Sequence, residues 1–284
     1  MAIRWEPWSI LGADGQIVYG DAHMPEGKPR GVILLAHGFK GYKDYGMFPR
    51  LARDCAMAGF LAHRFNFSHS GMTNQLESFA RPDLFERDTW SKQVFDLLAV
   101  IRAMDDRAIM GNELPFVLFG HSRGGVAAML LAGRHADDAM LSNMKGVMTA
   151  AAPARACSMS DEEQKQLLRD GYIESPSART GQRLRVGKAF LQEQLDAPAA
   201  HDVLSLVRRI RCPMLIVHGD HDATVPMSDA WAIGDAAQSS KVVIVPGGDH
   251  VFNVSNPLAE DAPSSPQLTQ LSENLIAFAA DCVR

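Results

Sequence analysis

Short apolar runs alternate with longer amphipathic stretches along most of the chain. The apolar runs predict strands at 31–36, 60–65, 115–119, 146–150, 213–217 and 241–245. Apolar residues at helical spacing predict helices between them, near 45–58, 88–105, 123–135, 228–238 and 267–283. Run 31–36 contains no alternating polar residues, so its strand should be buried on both faces. The pattern predicts the α/β class, with a mostly parallel central sheet and helices on both faces.

The alternation stops between residues 153 and 200. This segment is polar, with helical stretches near 161–169 and 182–195 and no strand-like run. Because ordinary connections are shorter, we expect a helical cap inserted at 153–200 into a core made of 1–152 and 201–284.

Composition excludes several function classes. The formal net charge of −5 and the dispersed basic residues argue against nucleic acid or an anionic membrane as partner. No apolar run approaches the ~20 residues that span a bilayer. The first residues lack a signal-peptide pattern, and four widely spaced cysteines suggest free thiols. We therefore expect a cytoplasmic protein.

The segment Gly120-His-Ser-Arg-Gly124 matches the G-x-S-x-G pattern of a nucleophile elbow. It follows a predicted strand and precedes a predicted helix, which is the context this motif requires. The glycines leave room for a tight turn, and the helix N-terminus places N–H groups near Ser122. Ser122 is therefore the candidate nucleophile.

A serine hydroxyl needs a base to take its proton and an acid to orient that base. On folds with this elbow the chain order is serine, acid, histidine. Acids follow the strand at 213–217, at Asp220 and Asp222, and His250 is the only histidine beyond the last predicted strand. Order along the chain selects His250 as base and leaves both aspartates open.

Acyl transfer also needs donors for an oxyanion. One should be the N–H after the nucleophile, at Arg123, and the other should come from the loop after an early strand. His37-Gly38 begins that loop, so we expect the second donor to be the N–H of Phe39.

These residues resemble the α/β-hydrolase superfamily, in particular its serine aminopeptidase-like branch with the cinnamoyl and feruloyl esterases. The resemblance runs from about residue 31 onward and is weak in the cap. In the family, a loop of type G-x-x-D-x-x-V-P bears the acid at the position of Asp222, which favours Asp222 over Asp220. The resemblance implies no metal and no organic cofactor. The motifs that carry it are 37–41 with Lys43, 120–125, 219–222 with Val225-Pro226, and 247–250.

The expected activity is hydrolysis of a small-molecule carboxylic ester through an acyl-enzyme. Amide or peptide hydrolysis and acyl transfer would use the same triad, and a non-catalytic binding protein could keep the fold. Histidines and aspartates at 218–222 could alternatively bind a metal ion. A homo-oligomer is possible.

The predicted cap contains an acid-free basic stretch. It could bind a substrate carboxylate, or it could be a solvated helix face. Met72, Phe79 and Tyr172 could line a substrate pocket or pack elsewhere. The basic residues are Arg179, Arg183, Arg185 and Lys188.

Overall fold

The computed structural model describes residues 3–259 and 261–284. Eight strands form one sheet in the order β1-β2-β4-β3-β5-β6-β9-β10, and β7 pairs with β8 in a separate hairpin. The strands are Trp5–Leu11 (β1), Ile17–His23 (β2), Val32–Ala36 (β3), Leu61–Asn66 (β4), Phe116–His121 (β5), Met144–Ala150 (β6), Tyr172–Pro176 (β7), Arg183–Gly187 (β8), Met214–Gly219 (β9) and Ser240–Val245 (β10).

The sheet is parallel from β4 to β10, as predicted. Each residue of β3 is fully buried, because helices cover both faces of the central strands. β1 and β2 add an antiparallel hairpin to one edge, since β2 pairs antiparallel with β4. The sequence pattern predicted no strand before residue 31, so this hairpin is a finding of the structure.

Helices pack on both faces of the sheet and form two apolar cores. Helices α3, α4, α8 and α9 contribute to one core, and α1 and α10 to the other. The helices are Met47–Met57 (α1), Pro82–Glu86 (α2), Trp90–Asp105 (α3), Arg123–Arg134 (α4), Asp161–Asp170 (α5), Ala189–Asp196 (α6), Pro198–His201 (α7), Val203–Val207 (α8), Met227–Ala236 (α9) and Pro266–Cys282 (α10).

The predicted cap is not purely helical, which corrects the expectation of a helix over 182–195. Hairpin β7–β8 occupies 172–187, and the helix begins only at Ala189. The physical reason is a period of two in β8, where Leu184 and Val186 are buried and Arg183 and Arg185 are exposed. The domain limits at 152/153 and 200/201 stay predictions.

Two further observations concern the cell compartment. In the described ranges, no helix is long and apolar enough to cross a membrane. The four cysteines are free thiols, as their spacing suggested. The cytoplasmic location stays a prediction.

Candidate active site

Ser122 lies on a tight turn between the last residue of β5 and the first residue of α4. Its φ is 52°, a left-handed conformation that a serine adopts only where the surrounding structure enforces it. A Cβ on Gly120 would lie 2.3 Å from the Gly124 carbonyl oxygen, and one on Gly124 would lie 2.4 Å from the Ala36 carbonyl oxygen. Both glycines are therefore required to expose Ser122 at the strand end.

A chain of hydrogen bonds connects the three predicted triad residues. His250 Nε2 lies 3.0 Å from Ser122 Oγ, and His250 Nδ1 lies 2.9 Å from Asp222 Oδ2. Asp222 follows β9 and His250 follows β10, and these parallel strands end at the same edge of the sheet as β5. The structure thus brings together residues that are up to 128 positions apart.

Asp222 is held as a carboxylate by its neighbours. The N–H groups of Thr224 and Val225 donate to Oδ1 at 2.8 and 2.9 Å, and His218 Nε2 lies 3.3 Å from Oδ2. Burial by itself would raise the pKa of Asp222, but hydrogen bonds from His218, His250 and Val225 hold that pKa well below its usual range. The acid that faces His250 is therefore ionised.

Asp220 has a different role in the structure. Its Oδ1 accepts a hydrogen bond of 2.6 Å from the N–H of Gly247, in the loop that also carries His250. Its side chain has no described contact with His250. Asp220 therefore joins the two loops, while Asp222 contacts the imidazole.

Two other histidines support the site, and chain order alone gave no signal for this role. His121 Nε2 donates to the His250 carbonyl oxygen at 2.7 Å, and burial lowers the pKa of His121 to about 3. His37 Nδ1 donates to the Gly38 carbonyl oxygen at 2.9 Å and its Nε2 accepts from Phe67 N–H at 3.2 Å. Burial lowers the pKa of His37 to about 4. Both rings are therefore neutral, and they position the loops around Ser122.

The predicted oxyanion donors flank Ser122. A Cβ on Gly38 would lie 3.0 Å from Ser122 Cβ, so the loop after β3 approaches the candidate nucleophile closely. The N–H groups of Phe39 and Arg123 have no hydrogen-bond acceptor among the described residues. Two unpaired donors beside a nucleophile are the arrangement that an oxyanion hole needs.

Comparison with known families covers most of the chain. A model described as the alpha/beta hydrolase family matches residues 33–260, from β3 past the loop of His250. The chain belongs to the alpha/beta hydrolase family. The match spans the elbow and all three residues of the hydrogen-bond chain, so the fold predicted from the sequence is confirmed.

Several known proteins are similar to this alpha/beta hydrolase. A monoacylglycerol lipase from Mycolicibacterium smegmatis is 25% identical, with 86% of this chain and 90% of that protein covered. The esterase domain of a Rhodothermus marinus protein superposes with a TM-score of 0.68 at 21% identity, covering 99% and 100% of the two chains. Est1E from Butyrivibrio proteoclasticus, also solved with ferulic acid bound, has a TM-score of 0.70 at 18% identity over 98% of both chains.

The side chain of Arg123 forms part of a pocket beside Ser122 of this alpha/beta hydrolase. Its guanidinium carbon lies 5.2, 4.6 and 4.3 Å from the ring centres of Phe39, Trp90 and Phe190. Asp88 lies 3.4 Å from Nη2, and burial raises the pKa of Asp88 to about 6 although Arg123 opposes this shift. The G-x-S-x-G pattern pointed only to the N–H of Arg123 and gave no signal for this buried cation.

Two pockets meet at Ser122. One, of about 320 Å³, has a largely apolar wall and two arginines, Arg123 and Arg155, that pair with Asp88 and Asp229, and we call it the aromatic pocket. The other, of about 260 Å³, carries two basic side chains, and we call it the cationic pocket. The aromatic pocket includes Trp90, Arg123, Ile173, Val186, Phe190 and Val225, and the cationic pocket includes Lys40, Tyr45, Phe48, Ser177, Arg179 and His250.

The four basic residues of the predicted cap have different environments in the structure. Arg183 pairs with Glu174 at 3.7 Å, Arg185 covers the ring of Tyr172 at 4.0 Å, and Lys188 is exposed. Only Arg179 reaches a pocket that contains Ser122. These residues lie in and around β8, so they do not form a solvated helix face.

The three candidate pocket residues outside the basic stretch pack elsewhere. Met72 and Phe79 are buried in the core, and Tyr172 lies under Arg185 at the surface. None of the three lines the aromatic or the cationic pocket.

The histidines and aspartates at 218–222 do not form a metal centre in the described chain. His218 Nε2 lies 3.0 Å from the Val225 carbonyl oxygen, and the two aspartates point to separate partners. No group of three or more potential ligands is assembled among the described residues.

Proposed function

We propose that the protein is a serine hydrolase that cleaves carboxylic esters through an acyl-enzyme. The observation that carries this proposal is the hydrogen-bond chain from Asp222 through His250 to Ser122, beside two unpaired N–H donors. A buried carboxylate, an imidazole and a strained serine in this order activate the hydroxyl for attack on a carbonyl.

Acylation follows from the position of each atom. Ser122 Oγ attacks the ester carbonyl carbon while His250 Nε2 takes the hydroxyl proton. The carboxylate of Asp222, 2.9 Å from Nδ1, stabilises the imidazolium that forms. The N–H groups of Phe39 and Arg123 donate to the oxyanion of the tetrahedral intermediate.

Collapse of the intermediate breaks the bond to the alcohol. His250 Nε2 gives its proton to the leaving alkoxide, and the acyl group remains on Ser122 Oγ. A water molecule then attacks the acyl carbon with His250 as base. Return of that proton to Ser122 releases the carboxylic acid and restores the starting state.

Esters are proposed in preference to amides because of the relatives. A monoacylglycerol lipase and two esterases share this fold with the chain, and one of these esterases binds ferulic acid. Peptide hydrolysis and acyl transfer would use the same atoms. A small-molecule ester fits the two pockets beside Ser122, of about 260 and 320 Å³.

Covalent labelling with a fluorophosphonate tests the proposal. We expect the folded protein to gain one label, located at Ser122 by mass spectrometry of its peptides. Ser122→Ala should not be labelled, and heat-denatured wild type should not react, because the denatured chain lacks the base. Ser177→Ala is a matched control, since Ser177 faces the same pocket without contacting His250. Absence of a label on the folded wild type would contradict the proposal.

A further inference from the structure

Two cations stand in the cationic pocket beside Ser122, and the proposed mechanism uses neither. Lys40 belongs to the loop after β3 that also contains Phe39, and Arg179 belongs to the turn of hairpin β7–β8. We propose that this pocket binds the alcohol part of the ester and that this part carries a carboxylate, held by Lys40 and Arg179. The inference rests on the proposed function and adds a substrate class to it.

The positive charge of this pocket has no acidic partner. No aspartate or glutamate among the described residues lines it. Lys40 Nζ donates to the Pro176 carbonyl oxygen at 2.7 Å, and Arg179 Nη1 donates to the Leu76 carbonyl oxygen at 2.5 Å. Both acceptors are neutral, and neither cation has an ion pair with a carboxylate of residues 3–259 or 261–284. An anionic ligand group would supply the missing charge.

Asp249 directly precedes His250, one of two histidines that line this pocket, and its carboxylate already has hydrogen-bond partners. Its Oδ1 accepts hydrogen bonds from the N–H groups of Val251 and Asn253 at 2.9 and 2.7 Å. It does not line the cationic pocket. Burial lowers the pKa of Lys40, as expected for an ammonium group without an acidic partner.

Arg179 is held in place rather than free in solvent. Its guanidinium carbon lies 4.7 Å from the ring centre of Tyr42 and 5.3 Å from that of Phe79. Nη2 also contacts Met72 Sδ at 3.4 Å. A guanidinium fixed between two rings loses little side-chain entropy when it binds a planar carboxylate. By contrast, the side chain of Arg183 in the same hairpin is 79% exposed and already paired with Glu174.

The position of His250 assigns the pocket to the alcohol. His250 must pass its proton to the leaving alkoxide, so the alcohol oxygen has to depart on the side where the imidazole stands. His250 lines the cationic pocket and does not line the aromatic pocket, whereas Ser122 lines both. The acyl chain then occupies the aromatic pocket, whose two arginines, Arg123 and Arg155, already pair with carboxylates.

The experiment compares two nearly isosteric esters, 3-carboxyphenyl butyrate and 3-carbamoylphenyl butyrate. They share the acyl chain and differ in the charge on the alcohol part. We expect kcat/KM of the wild type to be about tenfold higher for the carboxylate. This ratio should fall about tenfold in Arg179→Gln and in Lys40→Gln, and it should decrease as salt is added. Arg183→Gln is the matched control, and its ratio should equal that of the wild type.

The inference would be overturned if the wild type had a kcat/KM ratio near one for the two esters. It would also be overturned if Arg183→Gln lowered the ratio as much as Arg179→Gln does. Hydrolysis of the carbamoyl ester with a ratio near one would leave the proposed function standing. If neither ester is hydrolysed and Ser122 takes no fluorophosphonate, both proposals fail. Fluorophosphonate labelling of each variant verifies that it is folded. The same kcat/KM ratio can be measured for butyrylglycerol phosphate and butyrylglycerol. If this ratio is larger than that of the carboxylate and carbamoyl esters, the pocket binds a phosphate and the carboxylate assignment is overturned.

Discussion

Asp222 Oδ2 lies 2.9 Å from His250 Nδ1, while Asp220, two positions earlier, bonds to the N–H of Gly247. The two carboxylates have the same chemistry, and the turn after β9 directs them to different partners. Asp222 is buried against the imidazole and Asp220 is exposed. Only Asp222 can orient His250 and stabilise its protonated form.

Asp222→Asn should therefore lose most of the ester hydrolysis, by roughly 10⁴-fold in kcat, because an amide at this position favours the wrong imidazole tautomer. Initial rates with a neutral ester measure this loss. Circular dichroism establishes whether the variant keeps its fold.

Asp220→Asn is the matched variant for this experiment. The amide oxygen can still accept the hydrogen bond from Gly247, so we expect kcat within a few-fold of the wild type. The opposite ranking of the two variants would show that Asp220 is the catalytic acid.

Much of this site could be predicted because its residues lie at strand ends. The G-x-S-x-G pattern identified Ser122, chain order selected His250, and parallel strands that end at one edge brought them together. The aspartates could not be separated by order, since both follow β9, and only the family resemblance favoured Asp222. The physical reason lies in the turn geometry, in which the Thr224 and Val225 N–H groups fix the carboxylate of Asp222.

The cap was predicted less well for a physical reason. In β8 the alternation of buried and exposed side chains covers only 183–186, with Leu184 and Val186 buried. Such a short pattern next to an amphipathic helix is compatible with the period of a strand or of a helix. The cationic pocket could not be predicted at all. It depends on the packing of the Arg179 turn over the loop after β3, a contact between residues 136 positions apart at Lys40 and Pro176.

Gly124→Ala should disrupt the nucleophile elbow. The added Cβ would meet the Ala36 carbonyl oxygen at 2.4 Å, and this backbone atom belongs to a buried central strand that cannot move aside. We expect a loss of several kcal/mol in the free energy of unfolding, or failure to accumulate as a folded protein. Urea unfolding measures the change.

Gly181→Ala is the control for the elbow variant. Gly181 has a positive φ of 69° in the hairpin turn, but a Cβ there would have no atom within 4 Å. The expected cost is about 1 kcal/mol, from backbone conformation alone. Equal costs for the two variants would contradict the role of the close contact at Gly124.

Gln182 connects hairpin β7–β8 to the loop before α2 through two hydrogen bonds. Its Oε1 accepts from the Phe79 N–H at 2.8 Å, and its Nε2 donates to the Phe79 carbonyl oxygen at 3.1 Å. Gln182→Ala should loosen the wall that carries Arg179 and raise KM for esters several-fold, with little change in the thermal midpoint. Steady-state kinetics and limited proteolysis near 177–182 measure both effects.

Gln192→Ala is the matched control for the hairpin, because Gln192 lies on α6 and bonds only to the exposed Asp196. Its KM and its cleavage pattern should match those of the wild type. A normal KM in Gln182→Ala, together with faster cleavage of the hairpin, would show that the hairpin does not shape the pocket.

Asp88 makes stability depend on pH in a direction opposite to that of an ordinary ion pair. Burial raises the pKa of Asp88 from 3.8 to about 6, although Arg123 lies 3.4 Å away. A carboxyl with a raised pKa in the folded state contributes stability that is present below about pH 4 and is lost as the pH rises to about 6. The Asp88→Asn variant has no ionisable side chain at this position, so it lacks this pH-dependent contribution to stability.

The free energy of unfolding of the wild type relative to Asp88→Asn should therefore fall by about 2 kcal/mol between pH 4 and pH 7. Urea unfolding of both proteins at four pH values measures the difference. Asp83→Asn is an opposite control, because hydrogen bonds from Arg81 lower the pKa of exposed Asp83 to about 2 and its stabilisation is lost as the pH falls. If the wild type instead gained on Asp88→Asn with rising pH, the attraction of Arg123 would outweigh the cost of burying the carboxylate.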